Sequence, residues 1–244
     1  MDKLESQKKF YDEKFHKLNS DPINNLKQFS KYKFVKKLLK NTKGKILVIG
    51  CGSKNDMGII NKNCNGIGID ISKTAIERSK KMYPQFDYYV MNALDLKFED
   101  NSFDAIVCSE VIEHVEDEKK LLEEIKRVLK AEGTFVITTP NWWSFYGLAR
   151  KTAERLFKRP FTADNQPIDN WTTPTLLRKK LLPYFKLKGF YGLWYYPPTG
   201  KGKIKILGNI LLPLFWLFYP LELLLRGCLP WFGHIIIFKV KKSR

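Results

Sequence analysis

The sequence predicts an α/β fold, a largely parallel sheet with helices on both faces. Three observations carry this. Short apolar runs alternate with amphipathic helical stretches between residues 45 and 141, the pattern of repeated βαβ units. The apolar run Ile46–Ile49 opens directly into Gly50-Cys51-Gly52-Ser53. A second apolar run, Gly66–Ile69, ends on Asp70, about 20 residues after the glycines.

In chain order, residues 4–18 and 23–40 place apolar and aromatic residues at helical spacing. They include Phe10, Tyr11, Phe15, Phe29 and Phe34, and Asp21-Pro22 separates the two runs. Both predict helices beside the sheet or over its ligand end. After the 46–70 unit, Ser72 caps a helix running to about Tyr83, and Pro84 ends it. Phe86–Val90 predicts the third strand and Phe103–Ser109 a buried fourth. Glu116–Lys130 predicts an amphipathic helix with Leu121, Leu122, Ile125, Val128 and Leu129 inward, and Gly133–Thr138 a fifth strand. A helix from Thr173 to about Tyr184 follows, then strands at Phe190–Tyr196 and His234–Lys241.

The chain has 244 residues, 44% of them hydrophobic, enough for one α/β domain with insertions. Its four cysteines (51, 64, 108, 228) contain no Cys-x-x-Cys pair, which predicts reduced thiols in a cytosolic protein. The Lys-rich N-terminus lacks the apolar stretch of a signal peptide. The net charge of +18 is uneven: residues 46–149 hold 12 basic and 16 acidic residues, whereas residues 1–45 hold 13 lysines and 5 acids. Residues 150–205 hold 13 basic and 3 acidic side chains. Basic flanks around a slightly acidic core predict an anionic partner: a phospholipid surface, a phosphorylated substrate or nucleic acid.

A strand, a glycine turn, a helix and a second strand closed by an acid form a nucleotide-binding unit. The glycines admit close backbone approach, and the acid accepts hydrogen bonds from ribose hydroxyls. Ser53, Lys54 and Asn55 after Gly52 break the dinucleotide Gly-x-Gly-x-x-Gly pattern. The glycine turn, Asp70-Ile71, Asn92-Ala93 and the phrase LDLKFEDNSFD together resemble the class I S-adenosyl-L-methionine-dependent methyltransferases across residues 45–141. Val48 and Lys54 stand where that family usually carries an acid and a third glycine. The resemblance implies a Rossmann-like seven-stranded sheet, mostly parallel with the last strand antiparallel. It implies Gly50, Cys51 and Gly52 at the methionine end of the cofactor and Asp70 on the ribose. Ile71 would pack on adenine, Asn92 and Ala93 would meet its edge, and Ser109 at the end of the fourth strand would complete the cofactor site.

Ser109-Glu110-Val111-Ile112-Glu113-His114 follows that strand. A helical turn starting near Glu110 would put Glu110, Glu113 and His114 on one face. Two carboxylates and an imidazole there would hold a divalent metal such as Mg, or His114 would act as general base toward a hydroxyl acceptor. The box also suits a helix start that merely lines the pocket. It resembles the ubiquinone-pathway O-methyltransferases, in which these acids and the histidine serve as metal ligands. It is also similar to small-RNA 3′-terminal ribose methyltransferases, which need a further histidine downstream. The remaining histidines, His16 and His234, do not stand where that ligand is expected.

The expected organisation is N-terminal basic helices (1–44), a cofactor core (45–141), a substrate lid insertion (142–172) and the closing strands (173–244) with an apolar insertion at 204–229. The lid is aromatic at its start (Trp142, Trp143, Phe145, Tyr146) and then basic (Arg150, Lys151, Arg155, Lys158, Arg159). That mixture suits an anionic amphiphile or nucleic acid, and equally a helix packing its aromatics into the core. Ile206–Leu225 carries one charge, Glu222, and is flanked by Lys201, Lys203, Lys205 and Arg226. Pro213 and Pro220 interrupt it, and the strand after it must return to the same sheet, so it predicts a monotopic membrane-associating insertion rather than a span. A buried dimer interface is the alternative. The expectation is an O-methyltransferase acting on an amphiphilic or lipid-linked acceptor at an anionic membrane surface. An RNA methyltransferase, or a non-catalytic partner subunit of the same fold, are the alternatives.

Overall fold

The computed structural model describes residues 3–16, 22–52, 56–158, 166–195 and 224–243, with the side chains of residues 16 and 22–29 left aside. Its centre is a seven-stranded sheet ordered β3-β2-β1-β4-β5-β7-β6. The strands are β1 (Gly44–Ile49), β2 (Cys64–Asp70), β3 (Asp87–Val90), β4 (Phe103–Ser109), β5 (Leu129–Pro140), β6 (Phe185–Leu193) and β7 (Ile235–Lys242). Neighbours from β3 to β5 pair in parallel, and β7 runs antiparallel between β5 and β6. This is the Rossmann-like arrangement expected from the sequence, six strands parallel and the last reversed.

The central strands read as continuous apolar runs because both faces are covered. Leu47 and Ile49 face one cluster with Leu121, Ile125 and Phe135; Ile46 and Val48 face the other with Val35, Leu39 and Met57. The helices are α1 (Lys3–His16), α2 (Pro22–Leu38), α3 (Lys73–Met82), α4 (Glu118–Val128), α5 (Phe145–Phe157) and α6 (Pro174–Leu181). Four of their starts are capped by side chains that accept an orphan backbone N–H: Ser72, Asp117, Ser144 and Thr173.

Two boundaries depart from the periodicity. Helix α4 stops at Val128, because Leu129 is already extended and pairs with Phe103. Strand β5 therefore begins four residues before the expected Gly133, with Glu132 in a left-handed turn at φ 58°. Strand β6 also starts early, at Phe185, whose ring packs 5.2 Å from Phe135. Phe185-Lys186-Leu187-Lys188 alternates apolar and polar as a strand with one solvated face does, so its start was marked by that alternation and not by the more continuous apolar run from Phe190.

No helix among the described residues is long and apolar enough to cross a membrane. Most of the apolar insertion, residues 196–223, lies outside the described residues, as do Ser53 and Lys54.

Candidate active site

A cavity of about 570 Å³ opens at the carboxyl ends of β1, β2 and β4, the ligand-binding edge of such sheets. Gly50, Asp70, Ile71, Asn92, Ala93 and Ser109 line it, together with Glu110, Glu113 and His114. Gly50 has φ 73°, and a Cβ there would collide with Val111. A side chain is therefore excluded both by backbone and by space. A Cβ on Gly52 would lie 2.9 Å from an Asp70 carboxylate oxygen and 2.8 Å from the Phe15 ring. The glycines are thus required for close approach of this loop to its surroundings.

Asp70 sits at the end of β2 and is buried. Its Oδ2 accepts the Gly52 N–H at 3.1 Å and its Oδ1 the Ser72 N–H at 2.9 Å. The carboxylate thus fixes the glycine loop to the start of α3. Burial pushes its pKa up to about 6, against the lowering effect of those backbone donors. A buried acid with unused lone pairs facing a cavity fits a ligand bearing vicinal hydroxyls. Cys51 and Gly52 do not line the cavity: the Cys51 thiol is buried in the core beside Met57, so only backbone is left to face a ligand there. Asn92 uses its side-chain oxygen to accept the Leu94 N–H at 3.0 Å, closing a turn. One lone pair of that oxygen is thereby used, and the other stays available on the cavity side. Ser109 shares a 3.1 Å hydrogen bond with Thr138.

The acidic histidine box departs from its expected shape. Glu110 adopts a left-handed backbone, φ 54°, and its N–H is held by the Thr138 carbonyl at 2.9 Å. This turns the chain away from β4, and only a short 3₁₀ turn, Ile112–His114, follows. The three side chains share a cavity, but each has its own partner there. Glu110 pairs with Lys31 of α2 at 2.6 Å. Glu113 is fully buried and accepts the Thr139 hydroxyl at 3.0 Å through Oε2, while its Oε1 has no hydrogen-bond partner among the described residues. Among the described residues, no group of three or more His, Cys, Asp or Glu side chains is placed to hold a metal ion. The expected one-face ligand set needed a helical start, and the left-handed Glu110 prevents it.

His114 is oriented instead. Its Nδ1 lies 2.9 Å from the Ile168 carbonyl oxygen, which can only accept. Nδ1 therefore carries the proton and Nε2 the lone pair. Nε2 is 3.9 Å from Glu113 Oε1. Desolvation holds the His114 pKa below its ordinary value, opposed by the Ile168 carbonyl and the charge of Asp169. Burial, and then the Glu110 charge, push the Glu113 carboxyl well above the usual carboxylate range. The arrangement supplies an imidazole whose Nε2 lone pair is free, beside a buried carboxyl whose charged form is disfavoured.

Several lining residues carried no distinguishing signal in the sequence. Tyr11 and Phe15 of α1 roof the cavity, with the Tyr11 ring 5.9 Å from His114. Their helical spacing was indistinguishable from core packing. Gln7 donates from Nε2 to the His114 carbonyl oxygen. Lys31, 2% exposed, is one of 13 lysines in the first 45 residues, and only its burial singles it out. Burial penalises the Glu110 charge, but Lys31 outweighs it and holds the carboxyl below its usual range. The pair's contribution to stability is then full at neutral pH and is lost as pH falls through that depressed value. Replacing Glu110 with Gln leaves a buried ammonium without its counter-charge, which should destabilise the fold by about 3 kcal/mol in urea melts. The double replacement with Lys31→Met should recover most of that loss.

The lid insertion forms the opposite wall. Trp142 and Tyr146 turn inward, and both pack on Trp171. Trp143 and Phe145 turn outward. The first four aromatics of the insertion are therefore divided between core and surface, which sequence alone did not decide. The Arg150 guanidinium lies 4.5 Å from the Trp171 ring centroid and donates to Asp169 at 2.7 Å. Asp169 in turn accepts the Trp171 indole N–H at 2.8 Å. Asp169 and Trp171 line the cavity, and the neighbouring Ile168 carbonyl and Asn170 N–H bind His114 and the Glu113 carbonyl oxygen. Arg150 thus anchors the segment that orients the imidazole. Arg150→Ala should cost about 3–5 kcal/mol, because it strands the buried Asp169 charge. Arg150→Lys should recover only part of this, since an ammonium restores charge without the planar fork. Thermal and urea melts of the two variants check it.

Comparison with known proteins bears on the domain that carries this cavity. Residues 47–137 match the family described as a methyltransferase domain. A Mycobacterium tuberculosis protein named a probable S-adenosylmethionine-dependent methyltransferase is 31% identical over 101 residues, which are 41% of this chain and 37% of that protein. The chain thus spans well under half the length of that curated relative. Among solved structures, a SAM-dependent methyltransferase of Thermotoga maritima, titled a possible histamine N-methyltransferase, is similar with a TM-score of 0.63 at 18% identity. The match covers 88% of this chain and 89% of that one. A geranyl diphosphate C-methyltransferase of Streptomyces coelicolor, solved with Mg2+, a substrate analogue and S-adenosyl-L-homocysteine, gives a TM-score of 0.59 at 14% identity, covering 88% and 76%.

Proposed function

We propose that this chain, whose core is a class I S-adenosyl-L-methionine-dependent methyltransferase domain, methylates a hydroxyl oxygen of a lipidic or lipid-linked acceptor at a membrane surface. The observation that carries the oxygen-acceptor reading is His114, held by Ile168 with its basic nitrogen free. S-adenosyl-L-methionine, when bound, supplies a sulfonium methyl that is already strongly electrophilic. What the protein must add is position and a proton acceptor. Gly50, Asp70, Ile71 and Ala93 would hold the cofactor, Asp70 through its ribose hydroxyls. His114 Nε2 takes the acceptor's proton as its oxygen attacks in line. Asp169 and Glu110 raise the basicity of the imidazole and stabilise the imidazolium that results. Because desolvation depresses the His114 pKa, the imidazole stays neutral at and somewhat below neutral pH. The rate should fall on the acidic side as pH drops through that lowered value.

The lipidic part of the reading is supported by the apolar 206–225 stretch and the basic flanks. A divalent metal at Glu110, Glu113 and His114 has no comparable support, since Glu110 is engaged by Lys31. The experiment is transfer of labelled methyl from S-adenosyl-L-methionine into the organic-soluble fraction of a cell extract. Label confined to nucleic acid would replace this reading with the RNA methyltransferase one.

A further inference from the structure

We infer that the outward face of helix α5, rather than the 206–225 stretch alone, is a surface that docks this protein on an anionic phospholipid bilayer, while its inward face holds, through Arg150, the Asp169 that lines the cavity. The inference rests on the membrane reading above and names the surface that performs it.

Helix α5 has two opposed faces. Gly147 and Arg150 are buried against the protein, with Arg150 fixed to Asp169 and Glu154. On the other side, Phe145, Leu148 and Leu156 are 66%, 62% and 73% exposed. Spaced at i, i+3 and i+11, they form one stripe along the helix. A helix whose only partner is the protein beneath it presents polar residues there. Lys151, Arg155 and Lys158, all exposed, fall along one flank of the stripe. An apolar stripe bordered by cations is the pattern of a helix lying in the bilayer interface, with side chains among acyl chains and cations at the phosphates. Helix α5 cannot slide away from its position, because Ser144 caps it and Arg150 is clamped between Trp142 and Trp171.

The apolar surface continues past the helix. Trp143, just before α5, lies 6.0 Å from Trp231, and Leu229 and Phe232 beside it are exposed. Leu229, Trp231 and Phe232 thus extend the exposed apolar surface that begins on α5. The cations matter for the choice of occupant. Apposing a second copy through this face would bring like charges together, whereas anionic headgroups neutralise them. Since Asp169 and Trp171 beneath α5 line the cavity, a lipid-borne acceptor would reach His114 from the side that touches the bilayer.

The test uses the full chain and sedimentation with phosphatidylcholine vesicles, with and without phosphatidylglycerol. Wild type should bind the phosphatidylglycerol vesicles. Leu148→Asp with Leu156→Asp should weaken that binding at least tenfold. Lys151→Glu with Arg155→Glu and Lys158→Glu should weaken it on anionic vesicles only. Unchanged circular dichroism melts and S-adenosyl-L-methionine affinity show that both variants are folded. If wild type binds and both variants bind equally well, this surface is wrong while the membrane reading stands on other residues. If wild type binds neither vesicle, the membrane reading falls and this surface with it. A wild-type dimer that Leu148→Asp with Leu156→Asp dissociates, without vesicle binding, would assign the face to a second copy and overturn the inference.

Discussion

His114→Ala is expected to abolish most of the turnover while leaving S-adenosyl-L-methionine affinity unchanged. The acceptor hydroxyl must lose its proton during attack, and the Nε2 lone pair is the base the site presents. Removing a positioned general base typically lowers the rate by about 10²–10⁴-fold. The effect should fall on kcat and kcat/KM alike, because proton transfer belongs to the transition state. A pH profile separates this from a general loss of structure. Wild type should show an acidic limb below the ordinary histidine range, because desolvation lowers the His114 pKa. The variant's residual rate should lack that limb. Full turnover in His114→Ala would remove the histidine from the chemistry and leave positioning alone to account for the rate.

The second large effect is expected at Asp70. Asp70→Asn should weaken S-adenosyl-L-methionine binding by about 100-fold or more. A carboxylate bonded to two ribose hydroxyls makes two charge-assisted hydrogen bonds, each worth about 1.5–3 kcal/mol. The amide also sets an NH₂ against one of the two backbone N–H groups that Asp70 now accepts, from Gly52 and Ser72. The glycine loop would lose part of its anchor together with the ligand. The pH dependence has a definite sign. Burial pushes the Asp70 pKa to about 6, so the protein without ligand is partly protonated in mildly acidic solution. Binding should be flat above pH 6 and fall by about tenfold per unit below it, where the acceptor is neutral. The raised value also means that this group favours the folded state most below its unfolded pKa, and that the contribution is lost as pH rises through about 6. Calorimetric titration across pH checks both statements, and an affinity indifferent to Asp70→Asn would cancel the ribose assignment.

That Gly50, Asp70, Ile71, Asn92, Ala93 and Ser109 share one cavity was legible in the sequence for a physical reason. Gly50 and Asp70 stand at the ends of adjacent parallel strands, and the backbone register of β1 on β2 fixes their relation whatever the rest of the chain does. The Ser72 cap and Pro84 likewise announced α3, and amphipathic spacing announced α4. The box after β4 was legible in composition but not in shape. Whether Glu110 begins a helix depends on a single backbone angle, and its left-handed value leaves only the short turn Ile112–His114 after it. The roof and far wall were legible as segments, the N-terminal helices and the 142–172 insertion, but not in their contacts. Lys31 reaches Glu110 from 79 positions away, and Arg150 reaches Asp169 through a stack of two tryptophans. Contacts made only in the folded chain leave no period to read. The division of Trp142 from Trp143 is of the same kind, since one residue's shift decides which indole meets Trp171.

The measurement that tests the central claim most directly is incubation of the full chain with methyl-labelled S-adenosyl-L-methionine and a cell extract. The products are then partitioned into organic-soluble, aqueous small-molecule and nucleic-acid fractions. The account predicts label in the organic fraction, reduced by about 10²-fold or more with His114→Ala. Label in nucleic acid, or cofactor binding with no transfer to any fraction, would contradict it.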